Sequence, residues 1–69
     1  MNRSFEYMAL AYADRGYEVL PLNGKMPLTP RGFYDASSDE SAIREWWRKW
    51  PSANIGCRPP DDVIILDID

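Results

Sequence analysis

Sixty-nine residues carrying a net charge of −3 and a pI near 4.7 leave room for a single domain, expected to span residues 1–69. A hydrophobic content of 45% with 13% aromatics argues against disorder, and the acidic balance argues against a simple binder of the nucleic-acid backbone. The sequence contains no His, which excludes imidazole acid–base chemistry and the common zinc sites within these residues.

The lone cysteine, Cys57, cannot form an internal disulfide and fits a reducing cytoplasm. No apolar run approaches the ~20 residues of a membrane span. The apolar run from Ala9 to Ala13 is bounded by Glu6 and Asp14, too short for the core of a signal peptide.

In chain order, residues from about Ser4 to Arg15 predict a helix. Ser4 is a capping residue, Phe5, Met8, Ala9 and Tyr12 share one face, and Gly16 suits the left-handed closing position. Tyr17 to Leu22 predicts a short strand. Pro21 cannot donate to a ladder, which places this strand at a sheet edge or places Pro21 near its end. Residues 23–36 predict a long loop carrying Lys25 and Arg31, of a length that is often functional.

Ser37 and Glu40 offer a capping box, and Ser38 is an equally good cap. The helix that follows, to about Lys49, places Ile43, Trp46, Trp47 and Trp50 on one stripe, expected to pack as core, and Pro51 stops it. Trp is also a base-stacking residue. Asn54–Cys57 is a short strand candidate. Arg58 to Asp62 is a turn, and Val63 to Asp69 is the final strand, so the last two strands predict an antiparallel hairpin.

That final strand carries the chemistry. Val63, Ile64, Ile65 and Leu66 form an uninterrupted apolar run, as in a strand buried on both faces. Asp67 and Asp69 follow, two positions apart, and so share a strand face roughly 6–7 Å apart at Cα. Desolvating two carboxylates requires a positive partner. One solution is a divalent metal with oxygen ligands, Mg²⁺ or Mn²⁺. The other is that the strand leaves the core here and its acids meet water.

The ordered set Ala11-Tyr12-Ala13, Arg15-Gly16-Tyr17, Pro21-Leu22, Gly24-Lys25-Met26-Pro27-Leu28, Gly32-Phe33-Tyr34-Asp35-Ala36, Trp46-Trp47, Trp50-Pro51, Asn54-Ile55-Gly56 and Leu66-Asp67-Ile68-Asp69 resembles the bifunctional primase-polymerase (Prim-Pol) domain. That family belongs to the archaeo-eukaryotic primase superfamily and serves plasmid, phage and prophage replication. The resemblance implies that residues 1–69 are the N-terminal part of such a domain. It implies that Asp67 and Asp69 are its catalytic acids and bind Mg²⁺ or Mn²⁺ for nucleotidyl transfer, with DNA template and nucleoside triphosphates as partners. Adjacent carboxylates on one face can bind two metals ~3.5–4 Å apart. Lys25 matches the family's Gly-Lys-x-Pro segment, as a phosphate contact or as part of the loop's structure.

The family also uses a downstream His motif and a further acid. Residues 1–69 contain neither, so this stretch alone is expected to be inactive. Cys57-Arg58-Pro59-Pro60 stands where a small, glycine-containing turn is expected. The alternative is a non-catalytic module docking DNA or a replication protein through Trp46, Trp47 and the basic residues of the second helix. The expected fold is α/β (α+β), a small mixed sheet packed by two helices, in the order α-β-long loop-α-β-β with the last strand inside the sheet. Apolar residues of the last strand left uncovered would favour self-association.

Overall fold

A computed structural model describes residues 3–61 and 66–68. Two helices pack on one face of a four-stranded sheet. The elements are α1 (Arg3–Asp14), β1 (Glu18–Asn23), β2 (Met26–Pro27), a 3-10 helix (Gly32–Asp35), α2 (Glu40–Lys49), β3 (Asn54–Arg58) and β4 (Leu66–Ile68). The strand order is β2-β1-β3-β4.

Helix α1 already includes Arg3, so Ser4 lies within its first turn rather than at its cap. Its inward stripe is Phe5, Ala9, Tyr12 and Ala13, at i, i+4, i+7 and i+8, whereas Met8 falls on the exposed flank. The helix closes as the sequence predicts. Gly16 takes φ 93°, its N–H donates to Ala13 O (3.0 Å), and Tyr17 N–H donates to Tyr12 O (3.1 Å). This is the Schellman pattern, which satisfies carbonyls that the helix end would otherwise orphan. The rings of Tyr12 and Tyr17 meet across it, with centroids 5.4 Å apart.

Pro21 lies in a central strand, not at an edge. Val19 exchanges both backbone hydrogen bonds with Ser37 (2.8 and 2.9 Å), so its peptide groups point away from β3. Pro21, two residues on, points the same way, and its carbonyl accepts from Leu28 N–H (3.0 Å). Its missing donor therefore costs the β1–β3 ladder nothing.

The loop expected over residues 23–36 is structured. A turn at Gly24-Lys25 leads into β2, Thr29 Oγ1 donates to Gly32 O (2.7 Å), and the 3-10 helix follows. Because β2 reverses the chain before α2, the described ladders are all antiparallel, where a mixed sheet was expected. The expected β3–β4 hairpin is present, but β4 is the edge of the described sheet rather than inside it.

Helix α2 is capped by Asp39, whose Oδ2 accepts from Ala42 N–H (3.2 Å). Ser37 and Ser38 do not cap it. Ser37 is held by its bridge to Val19, and its hydroxyl accepts from Asp39 N–H (2.9 Å). The tryptophan stripe is core. Ile43 and Trp47 are buried, Trp46 and Trp50 pack beside them, and Trp47 Nε1–H donates to Ala53 O (3.1 Å). With Ala9, Val19, Ile55 and Cys57 they fill the space between both helices and the sheet.

Candidate functional site

Asp67 stands directly opposite Gly56 in the β3–β4 ladder, and Gly56 stands opposite Leu20. The neighbouring rows, Val19–Cys57–Leu66 and Pro21–Ile55–Ile68, include the core residues that pack on the helices. Strand alternation therefore assigns the Leu20–Gly56 row to the opposite face of the sheet. Asp69, Val63, Ile64 and Ile65 lie outside the described residues.

The topology brings the end of β4 and the Lys25 turn to one end of the sheet. Ile68 pairs with Ile55, and the next β3 residue, Asn54, pairs with Leu22. Asn23 then opens the turn that carries Gly24 and Lys25. Gly24 adopts φ 63°, the left-handed geometry such a tight turn uses, and Lys25 is exposed. From β2 to β4 is three strand spacings, roughly 14 Å. Lys25 and the acidic strand thus flank one end of the sheet from its two edges.

A cleft of about 410 Å³ opens at this end. It lies between the Gly24 turn and the C-terminal end of α2, with Asn23, Lys49, Trp50 and Asn54 among its lining residues. The Lys49 ammonium sits 5.0 Å from the Trp50 ring centroid. The topology that gathers these residues was not visible in the sequence, where Trp50 reads as core, Lys49 as the end of a helix and Asn54 as the start of a strand.

Elsewhere Arg31, Arg44, Arg48 and Arg58 meet carboxylates. Arg44 bridges Glu6 (3.3 Å) and Glu40 (2.8 Å), Arg31 pairs with Asp35 (3.3 Å), and Arg58 bonds Glu18 across the β1–β3 ladder. Trp47, suggested as a docking residue, is 2% exposed and its indole N–H is engaged, so it is closed to stacking. Among the described residues no three His, Cys, Asp or Glu side chains cluster closely enough to hold a metal; that set includes neither Asp69 nor the carboxylate of Asp67.

The fold defines a small two-layer α/β domain in which β4 and the Lys25 turn lie at the same end of the sheet, on its two edges. Residues 9–69 match the family described as bifunctional DNA primase/polymerase, N-terminal (Prim-Pol), and the chain belongs to that family. Neither the curated proteins nor the solved structures gave a match. The family identifies DNA and nucleotides, in general terms, as its substrates. No helix among the described residues is long and apolar enough to cross a membrane.

Proposed function

We propose that this chain contributes the acidic metal-binding strand of a DNA primase/polymerase that copies plasmid, phage or prophage DNA in the cytoplasm. Asp67 and Asp69 would hold Mg²⁺ or Mn²⁺. Their hard carboxylate oxygens suit these ions, and Gly56, which carries no side chain, stands opposite Asp67 in the ladder. The bound metal would stabilise charge on the phosphoryl group being transferred.

The chain's own residues have separable tasks in this reading. The two acids position the metal. Lys25, across the same sheet end, places a positive charge for the triphosphate of the incoming nucleotide. The β1–β3 ladder fixes the distance between them. The observation that carries the proposal is this convergence of the Lys25 turn and the end of β4 in a chain of the Prim-Pol family.

Residues 1–69 by themselves are proposed to be inactive, and β4, as an edge of the described sheet, offers a surface for self-association. Sedimentation of the chain tests the latter, since a strictly monomeric species at high concentration would contradict it. The test of function is primer extension by the primase/polymerase that carries this domain. Asp67→Asn and Asp69→Asn should each reduce nucleotide incorporation at least about 10²-fold, as expected when transition-state charge loses its support. Wild-type rates in both would refute the assignment.

A further inference from the structure

We propose that the cleft between the Gly24 turn and the end of α2 binds a single nucleobase, with Trp50 as its stacking ring. The inference rests on the proposed function, because it supplies that sheet end with its ligand. Three observations carry it.

The first is charge. The chain is acidic overall, yet Lys49 is the one charged residue among the described residues lining this cleft, and Lys25 lies on the adjoining turn. A larger hollow of about 610 Å³, between α1 and the start of α2, is lined by Asp14, Glu40 and Arg44. Its arginine is already bound to Glu6 and Glu40. Among the described residues, the smaller cleft therefore offers a phosphate-bearing ligand the more favourable charge.

The second is chemistry. Trp50 packs one part of its surface against the core and still lines the cleft, with the Lys49 ammonium over its ring. An aromatic plane beside a cation is the combination that holds a base and its phosphate together. Asn23 adds a side-chain amide, able to donate and to accept, as the edge of a base requires.

The third is position. Asn54 is the β3 residue next beyond the Ile55–Ile68 pair, so the cleft begins about one strand spacing, ~5 Å, from the end of β4. A base held here lies at the same end of the sheet as the end of β4.

The test is an NMR titration of the ¹⁵N-labelled chain without divalent metal. Deoxyadenosine, dATP and a short oligo-dT are added separately at millimolar concentration. The Trp50 indole N–H and the amides of Asn23, Gly24, Ser52 and Asn54 should shift together. Trp50→Leu should weaken binding about 10-fold or more, within the range for loss of a stacked ring, and Trp50→Phe should recover most of it. Ser52→Leu, a change at an exposed turn residue, should block the cleft without unfolding the chain. Tighter binding of dATP assigns the cleft to the incoming nucleotide, and tighter binding of oligo-dT assigns it to a strand; either supports the proposal. No shift in the folded chain, shifts confined to Tyr7 and Arg44, or unchanged binding in Ser52→Leu would overturn it. Deoxyadenosine has no phosphate and the titration no metal, so failure here leaves the assignment of Asp67 and Asp69 intact.

Discussion

Gly56 and Asp67 face each other across the β3–β4 ladder. Gly56 is not one of the glycines with positive φ, which are Gly16, Gly24 and Gly32, so its backbone does not require glycine. Gly56 is buried, and glycine within a strand marks a space that backbone or a ligand approaches closely. Gly56→Ala should fold normally yet weaken Mn²⁺ binding about 10-fold, the lower end of the effect of disturbing groups that orient metal ligands. Unchanged Mn²⁺ affinity with an unchanged circular dichroism spectrum would show that the space serves no ligand.

Trp47 couples α2 to β3 through its indole N–H on Ala53 O. Trp47→Ala should cost about 3–5 kcal/mol, the range for emptying a buried aromatic site. Trp47→Phe keeps most of the volume but orphans the Ala53 carbonyl, and should cost about 1–3 kcal/mol. Urea denaturation of both variants checks the order.

Much of this was legible in the sequence because it depends on local rules. The stripe of Ile43, Trp46, Trp47 and Trp50 fixes the inward face of α2, and Gly16 closes α1, both through spacing alone. The misreadings have a common origin in long-range pairing. The bridge from Val19 to Ser37 shifts the cap to Asp39 and covers the side of β1 that made Pro21 look like an edge residue. The two-residue β2, half of it proline, left no strand pattern in the loop, and without it the antiparallel order could not be read. The acidic pair was visible as a pattern, whereas the strand order that puts the end of β4 and the Lys25 turn at one end of the sheet depends on a register that no local rule sets.

Gly16 tests the helix closure. At φ 93° an L-residue is strained, and a Cβ there would lie 3.5 Å from Pro60 Cγ, an ordinary contact. The cost of Gly16→Ala should therefore come from the backbone, about 1–2 kcal/mol. Gly16→Asn should cost less, because Asn enters the left-handed region more readily. Thermal denaturation distinguishes the two.

Cys57 predicts an alkaline limb. Burial raises its thiol pKa above the ordinary 9.0. The folded chain therefore keeps its proton at a pH where the unfolded chain releases it, and the unfolded state gains relative stability as pH rises. Cys57 contributes its full stability below about pH 9.0 and loses it progressively above, through the raised folded value. Stability measured from pH 7 to 10.5 should fall more steeply in the wild type than in Cys57→Ala. Parallel curves would contradict the assignment.

The central claim is that Asp67 and Asp69 hold a divalent metal at the end of β4, and Mn²⁺ paramagnetic broadening of the ¹⁵N-labelled chain tests it most directly. At the lowest Mn²⁺ concentrations the amides of Gly56, Asp67 and Ile68 should broaden before those near Glu6, Asp14 or Glu40, and Asp67→Asn with Asp69→Asn should abolish that early effect. Broadening that begins at the surface acids of α1 and α2, or that persists at Gly56 in the double variant, would contradict it.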